Sequence, residues 1–292
     1  MRARLSALIT IATLSTATAS PPLQAPSTGR GSPATVGEAA GFPAVSEIIG
    51  RAVERARLQD EASAELRYES IVSTTIDSLN GDGDIVETQT TRHRRYALEG
   101  SLFEELIARN GEPLSEADIR RESERQQKFR RDAREAEASG ERLETNDERQ
   151  IRFNEDLMDR FVASVVGEEI VAGERCWVIA FQPKEGKLPS RSRLDKALNQ
   201  SAGRAYVTQT DYGVIRIDFE LLRPVRYLWG MIASLRQASG RLEFQRIEDS
   251  VWLPRAFDLR TNVRILFRTT RQHIVREWLQ RDRVGALADT GL

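Results

Sequence analysis

The feature that most constrains the fold is a series of strand-like segments, joined by short turns, in the C-terminal half of the chain. In the clearest one, "VIRIDFELL", apolar residues alternate with charged ones, the period of a strand with one buried face. The others are "RFVASVVGEEIV", "RCWVIAFQP", "RAYVTQ", "VRYLWGMIASLRQ", "RLEFQRIED" and "VWLPRAFDLRTNVRILFRTTRQHIVREWL". Ser239-Gly240 and Glu248-Asp249-Ser250 are predicted turns. Because short turns join successive strands, they predict a large antiparallel sheet.

The N-terminal half adds a helix and a hairpin. An apolar stripe with helical spacing predicts an amphipathic helix from about Val45 to Gln59. The segment "AELRYESIVSTTID" then alternates as a strand, with an apolar set of Leu66, Tyr68, Val72 and Ile76. "NGDGD" predicts a tight turn, which we prefer to a calcium loop because Ile85 and Thr91 stand where such a loop needs Gly and Glu. The return strand, Ile85 to Leu98, is polar on both faces, which indicates an edge strand or a strongly hydrated one.

A long charged segment separates the hairpin from the later strands. Ser115, three residues before Asp118, provides a helix cap, and acidic and basic residues interleave from there to Glu144. Its apolar seam is thin and consists of Ile119, Phe129, Ala133 and Ala136. Neighbouring carboxylates cancel the field of the arginines, which argues against a nucleic-acid interface. The segment is therefore predicted to be an exposed helix, and whether it is a mobile lid or a static surface helix is left open.

Together these patterns predict the α+β class: a curved antiparallel β-sheet, or half-barrel, with the N-terminal helix and the long helical insertion covering its concave face. A single domain is expected over residues 44–282, with the helical insertion at about 114–158. Residues 283–292 are expected to form a flexible tail.

The first residues have the pattern of a secretory signal, residues 1–19. Arg2 and Arg4 precede an apolar run, and Ala17-Thr18-Ala19 provides small residues for cleavage near Ala19. Residues 20–43 are rich in Pro, Gly and Ser, which predicts a disordered leader. We expect a periplasmic or otherwise exported protein that is not lipid-anchored, because the lone cysteine, Cys176, is far from the cleavage site. That cysteine can form no internal disulfide and is expected to be a small buried hydrophobic residue.

No known catalytic motif is present. Two histidines, His93 and His273, and one cysteine are too few for a zinc site of Cys and His ligands. The arginines next to His93 disfavour its protonated form. Motifs for nucleophilic, metal-dependent or nucleotide-dependent chemistry are missing. We therefore expect no enzymatic activity, no cofactor and no metal, although carboxylates that meet only in space leave an enzyme as a remote alternative.

Aromatic and large apolar residues are abundant in the later strands, and "YLWGMIASL" is apolar on both faces. Such residues form either an ordinary packed core or the wall of a cavity for a lipid-like ligand. If they form a cavity, its lining is predicted from the apolar faces of the strands: Leu66, Tyr68, Val72, Trp177, Ile179, Phe181, Ile217, Phe219, Trp229 and Met231. A register error of one residue would turn alternate side chains outward.

Four segments, "NGEPLSEADIRRE", "GERCWVIAFQP", "GRAYVTQTDYGVIRIDFEL" and "DSVWLPRAFDL", resemble the periplasmic lipoprotein-carrier superfamily, and among its members the outer-membrane lipoprotein-sorting-like proteins. The likeness covers about residues 45 to 280. It implies a hydrophobic half-barrel that carries acylated lipoproteins or related amphiphiles. The "NGEPLS" helix is longer and more charged than a simple lid requires, and no individual binding residue transfers.

The sequence thus predicts an exported, non-enzymatic carrier or binding protein for a hydrophobic or acylated ligand, a lipid or lipoprotein, in the cell envelope. Its partners would be that ligand and an envelope protein, without nucleic acid and without a transmembrane segment. The alternative is an envelope interaction or scaffold protein with a fully packed sheet and no small-molecule ligand.

Overall fold

A computed structural model describes residues 42–140, 143, 154–190, 192–227, 233–248 and 251–284. The helices are α1 (Val45–Glu61), a short 3-10 helix (Ala64–Arg67), α2 (Glu116–Ala138), α3 (Glu155–Met158) and α4 (Arg193–Leu198). The strands are β1 (Tyr68–Leu79), β2 (Ile85–Leu98), β3 (Ser101–Arg109), β4 (Glu112–Pro113), β5 (Phe161–Val171), β6 (Glu174–Pro183), β7 (Ser201–Thr208), β8 (Val214–Leu221), β9 (Val225–Tyr227), β10 (Ala233–Glu248), β11 (Val251–Ile265) and β12 (Arg268–Arg283).

All twelve of these strands belong to one antiparallel sheet, as the series of strand patterns predicts. Its order is β4-β3-β2-β1-β12-β11-β10-β8-β7-β6-β5, and β9 pairs with β10 beside this path. The chain's first long hairpin therefore lies next to its last strand, β12. The sheet is open, with β4 and β5 at its two ends.

The predicted turn between β1 and β2 is present. The Asn80 side-chain oxygen accepts hydrogen bonds from the backbone N–H groups of Asp82 (2.6 Å) and Gly83 (3.2 Å), and Gly83 has the positive φ of 88° that favours glycine. The expectation that β2 is an edge strand is wrong, because β1 and β3 pair with its two sides. The alternative, a strongly hydrated strand, is confirmed, since most residues of β2 are partly or fully exposed to solvent.

Two further differences concern β3 and β10. Strand β3 follows β2 directly, although its sequence, "SLFEELIAR", lacks the alternation that marks a strand. Ser239-Gly240 is not a turn: it lies within β10 and pairs with Glu220 and Phe219 of β8. The glycine is needed there for close packing, because a Cβ atom on Gly240 would come within 2.8 Å of the Phe219 ring.

The register assigns every strand residue to one of two faces. One ladder joins Ile179, Ala205, Ile217, Leu242 and Phe257 through directly paired positions on β6, β7, β8, β10 and β11. We call the face that carries these side chains the apolar face, since paired residues project to the same side. The opposite face is the charged face, defined by Arg216, Asp218, Arg241 and Asp258.

Helix α1 packs on the apolar face at the β5–β7 end of the sheet. Ile48 is fully buried and Ala52 is 2% exposed, and they form one apolar cluster with Trp177, Ile179 and Val207. Ala44 precedes the helix without a side-chain cap, so its position depends on this apolar stripe and on Gln59, which bonds both backbone groups of Trp252 at 2.8 Å.

Helix α2 does not lie on the same face as α1. Its Phe129 contacts Phe103 with ring centroids 4.9 Å apart, and Gln126 donates to the Tyr96 hydroxyl at 2.7 Å. Phe103 pairs with Tyr96. Because Arg95, the residue before Tyr96, projects to the apolar face, Tyr96 and Phe103 project to the opposite face. The expectation that the helical insertion covers the same face as α1 is therefore wrong. The physical reason is that the apolar seam of α2 packs on an aromatic residue of β3, a strand that the sequence pattern does not predict.

Several predictions concern residues outside the described ranges. These are the signal at residues 1–19, the leader up to residue 41, and Trp229, Met231 and the end of the expected tail. Strand β12 itself extends to Arg283, one residue past the expected domain end.

Candidate ligand-binding face

A second ladder on the apolar face runs across seven strands. It consists, in spatial order, of Phe181, Gly203, Phe219, Gly240, Leu259, Ile274 and Ile76. We call this ladder the central row. All of its members except the buried Ile274 remain partly exposed. Seven strands at about 4.8 Å spacing give the row a length of about 29 Å.

Two aromatic rings in the central row lie over glycines of the neighbouring strands. A Cβ atom on Gly203 would come within 2.8 Å of the Phe181 ring, and one on Gly240 within 2.8 Å of the Phe219 ring. The rings thus lie along the sheet and do not stand away from it. Phe161 packs edge-on against Phe181 at 5.2 Å between centroids. The result is a flat aromatic surface instead of a deep pocket.

The charged face has the opposite character at the same strands. Asp218 accepts from Arg241 at 2.6 Å and lies 3.2 Å from Arg216, and Arg216 lies over the Tyr206 ring at 3.7 Å. His273 contacts Asp258 at 3.0 Å on this face. The central strands therefore direct charge to one side and apolar groups to the other.

The predicted cavity residues fall into distinct environments. Phe181, Ile217 and Phe219 lie on the exposed part of the apolar face. Trp177, 7% exposed, and Ile179, 2% exposed, are covered by α1 and belong to its packing core.

The predicted residues of the first hairpin are also dispersed. Val72 is fully buried on β1, and Tyr68, 6% exposed, lines a separate crevice on the same face. Leu66 lies in the 3-10 helix, so the prediction that it belongs to a strand face is wrong. The helical turn starts after Ser63, whose φ of 47° separates it from the end of α1.

Several residues of this surface are absent from the predicted cavity lining, among them Leu242, Phe257 and Leu259. A signal for two of them exists in "AFDLR", where Phe257 and Leu259 alternate strictly with polar neighbours. Leu242 was missed because the neighbouring Ser239-Gly240 was taken as a turn.

The lone cysteine and the histidine of β2 are not reactive centres. Cys176 is fully buried in a cluster with Val178, Tyr206 and Trp252, and burial raises its pKa to about 11, which keeps the thiol protonated. Burial also lowers the pKa of His93. Glu104 opposes that shift, while Arg276 adds to it, so the flanking arginines of the sequence are not the main cause. In the described part of the chain, no group of three or more His, Cys, Asp or Glu residues is placed to bind a metal.

The glycines under the rings give a direct test of this packing. We expect Gly240→Ala to lower the free energy of unfolding by about 1–3 kcal/mol, because the new methyl group would come within 2.5 Å of the Asp258 carbonyl and 2.8 Å of the Phe219 ring. Gly50→Ala is the matched control: nothing lies within 4 Å of its Cβ position on α1, and alanine should stabilise the helix by up to about 1 kcal/mol. Urea denaturation measures both, and equal effects would contradict the packing described.

Comparison with known proteins gives structural neighbours only. No protein-family model matches the sequence, and no curated protein matches it. A putative outer membrane lipoprotein-sorting protein domain from Vibrio parahaemolyticus is 9% identical, with a TM-score of 0.32 over 82% of this chain and 94% of that chain. A LolA superfamily protein from Nitrosomonas europaea is 10% identical, with a TM-score of 0.32 over 80% and 93%.

A third neighbour comes from the Pseudomonas aeruginosa MucA/MucB complex, at 9% identity and a TM-score of 0.24 over 82% of this chain and 98% of that chain. All three TM-scores are below 0.5, so the likeness extends over most of each chain but superposes loosely. None of the helices in the described ranges is long and apolar enough to cross a membrane.

Proposed function

We propose that this protein is an exported, non-enzymatic carrier or binding protein for a hydrophobic or acylated ligand in the cell envelope. The observation that supports this most directly is the central row, a line of partly exposed apolar side chains on one face of the sheet. The ligand would lie along this row, next to α1. In this proposal the apolar face is the concave face of a half-barrel.

The chemistry of the row suits an alkyl or acyl chain. Each methylene group removed from water contributes about 0.8 kcal/mol, and the flat surface formed by Phe181 and Phe219 allows contact along the whole chain. Among the described residues of the row there is no charged side chain that would have to lose its water. Binding would therefore depend on buried apolar area and only weakly on the identity of the chain.

Export to the periplasm is part of the same proposal. It relies on the signal pattern that ends near Ala19. A carrier of acylated cargo is useful where lipids must cross an aqueous compartment, and the apolar face provides the surface for this transfer.

The alternative, an envelope interaction protein, is favoured by a different observation. Strand β5 is an end strand, and within the described residues only β6 pairs with it. Its exposed apolar side chains are Val162 (52%), Val166 (53%) and Ile170 (70%). A long apolar edge of this kind can pair with an extended segment of another protein.

Native mass spectrometry of the mature protein, purified without detergent and followed by solvent extraction, separates the two functions. A discrete adduct that extracts as a fatty acid, phospholipid or acylated peptide would support the carrier and identify its ligand class. A clean apo mass that does not shift when lipid is added would exclude the carrier and favour the alternative.

A charge on the apolar face gives a sharper test. We expect Leu242→Glu to weaken binding of a fluorescent fatty acid at least tenfold, about 1.4 kcal/mol, because the carboxylate adjoins Ile217 and Phe257. Val162→Glu places the same charge at an exposed apolar position whose partner, Gln182, projects to the charged face, and it should leave the affinity unchanged. Equal losses in both variants, or none in either, would contradict the assignment of the site.

A further inference from the structure

A second feature of the apolar face is a crevice at its β12–β1–β2 end. Its cavity volume is about 10 Å³, room for roughly one water-sized group, and it is partly open to solvent. Leu102 and Leu253 form its apolar part. Its polar lining is more unusual for a sheet face and includes Ser70, Arg95 and Arg281.

The strand register places the two arginines of the crevice on either side of its serine. Ser70 pairs with Arg95 of β2 and with Arg281 of β12, so all three side chains project to the apolar face. Strand spacing puts the two arginine Cα atoms about 10 Å apart. Two guanidinium groups at this separation, with a hydroxyl between them, can converge on a single small group. Arg95 is only 8% exposed and Ser70 7%.

The two arginines of the crevice differ in their partners. The Arg95 guanidinium lies 3.2 Å from Glu65 and 3.7 Å from Glu104, and Glu104 also forms an ion pair with Arg276. Arg281 donates to a backbone carbonyl at 2.5 Å, and no carboxylate of the described residues forms a salt bridge with it. Among the arginines of the crevice, Arg281 is therefore the one without a carboxylate partner in the described part of the chain.

Two more observations indicate a missing acceptor. The indole N–H of Trp278, which also lines the crevice, is buried and has no hydrogen-bond partner, and an unpaired buried donor is unfavourable. Burial lowers the pKa of Arg281; Glu65 opposes this shift and Arg95 adds to it. A negatively charged acceptor in the crevice would satisfy the indole donor and pair with the Arg281 guanidinium.

We propose that the crevice binds one oxyanion group, a carboxylate or a phosphate, and that this group is the head of an amphiphile whose apolar part lies along the apolar face. The second half of this statement rests on the function proposed above. The geometry supports the connection, since Trp278 of the crevice and Ile274 of the central row lie on the same face of β12, four residues or about 13 Å apart.

Probes of equal chain length separate the head group from the chain. Dodecyl phosphate, dodecanoate and dodecanol are compared by their displacement of N-phenyl-1-naphthylamine, and inorganic phosphate is titrated alone by calorimetry. The test variant is Arg281→Gln. Arg260→Gln is the matched control, because Arg260 is exposed on the charged face of the neighbouring strand.

We expect the wild-type protein to bind dodecyl phosphate and dodecanoate at least tenfold more tightly than dodecanol. Arg281→Gln should remove this preference without changing the affinity for dodecanol, and Arg260→Gln should preserve it. If all three compounds bind equally, the proposed head-group site is wrong, and the proposed binding of an alkyl chain on the apolar face is unaffected. If none binds, both are wrong. If inorganic phosphate binds through Arg281 while no alkyl compound does, the crevice is a free-anion site and the amphiphile is excluded.

A stability measurement shows whether Arg281 has a purely structural role. Removal of a half-buried charge that forms no salt bridge should leave the melting temperature of Arg281→Gln without ligand equal to that of wild type or higher. Dodecyl phosphate should then raise the melting temperature of wild type but not of the variant. A large drop in the melting temperature without ligand would mean that Arg281 is needed for folding, which would overturn the proposed role.

Discussion

Asp211→Asn should lower the free energy of unfolding by about 3–5 kcal/mol, the range found when one member of a buried ion pair is removed. The Asp211 side chain is 16% exposed, and its carboxylate lies 2.9 Å from Arg55 of α1 and 3.6 Å from Arg246 of β10. Asparagine would leave both guanidinium groups without this counterion. Urea denaturation at neutral pH gives the loss directly.

The expected loss is large because Asp211 connects three parts of the fold. It accepts hydrogen bonds from the Thr208 hydroxyl (2.6 Å), the Gly213 N–H (3.1 Å) and the Trp252 indole N–H (3.0 Å). These bonds tie the β7–β8 turn to β11, and the ion pair with Arg55 ties both to α1. An asparagine side chain can replace only some of these acceptor bonds, and it adds a donor group where donors already converge.

The same carboxylate predicts a pH dependence. Burial alone would raise the pKa of Asp211, but hydrogen bonds from Thr208, Trp252 and Gly213 and the charge of Arg55 outweigh it, so the pKa lies below its ordinary value. Its contribution to stability is therefore complete above the unfolded pKa of about 3.9 and is lost as the pH falls through the folded pKa. The unfolding curves of wild type and Asp211→Asn should converge at acid pH.

Asp82→Asn is the control for this prediction. Asp82 lies exposed in the β1–β2 turn, where its backbone N–H, not its carboxylate, makes the turn hydrogen bond. The control should change the free energy of unfolding by no more than about 0.5 kcal/mol. A similar effect for both variants would show that the network does not stabilise the fold, and a difference between wild type and Asp211→Asn that does not shrink as the pH falls below about 3.9 would show that the carboxylate charge is not its source.

The sequence correctly predicted the two faces of a strand where charged residues alternate with apolar ones. In β8 the charged residues Arg216 and Asp218 alternate with Ile217 and Phe219, and the structure places the two pairs on opposite faces. A charged side chain on an open strand has to meet solvent, so such a pattern determines the register.

The pattern could not say what covers each apolar residue. In β6 both sides of the strand are apolar, and Trp177, Ile179 and Phe181 share one face as predicted. Helix α1 covers the first two and leaves Phe181 partly exposed. Which part of a sheet a helix occupies depends on contacts between residues more than a hundred positions apart, such as Ile48 with Trp177.

The close approach of neighbouring strands could not be predicted from the sequence either. Gly240 has the residue type of a turn, yet its role is to let the Phe219 ring lie on β10. The crevice depends on Arg95 and Arg281 meeting across Ser70, and this requires that the last strand pairs with the first. Local patterns carry no information on such a pairing.

Phe103→Ala is the second change with a large expected effect, about 3–5 kcal/mol of unfolding free energy. The Phe103 side chain is 1% exposed. Its ring contacts Phe129 at 4.9 Å, Tyr96 at 5.9 Å and the Arg125 guanidinium at 4.3 Å. Alanine would leave a cavity under α2 and remove the main apolar contact of this otherwise charged helix.

Loss of that contact should also expose the edge of the sheet. Glu122 accepts from the backbone N–H of Leu106 at 3.0 Å, and Arg125 donates to the backbone carbonyl of Glu104. These two side chains of α2 thus occupy hydrogen-bonding groups of β3. Among the described strands, only the two-residue β4 pairs with this edge. In Phe103→Ala, amide hydrogen exchange at Leu106 should become faster, and an open edge favours aggregation.

Ile119→Ala is the matched control on the same helix, since Ile119 is 55% exposed, and its effect should stay within about 0.5 kcal/mol. Equal effects of the two variants would mean that α2 is not held by Phe103. The pair also decides between a lid and a static helix. Because Phe103 projects away from the apolar face, Phe103→Ala should bind a fluorescent fatty acid as wild type does, at a temperature where it remains folded. A changed affinity would mean that α2 reaches the ligand and moves over it, whereas an unchanged affinity with a large loss of stability assigns α2 to the protection of the sheet edge.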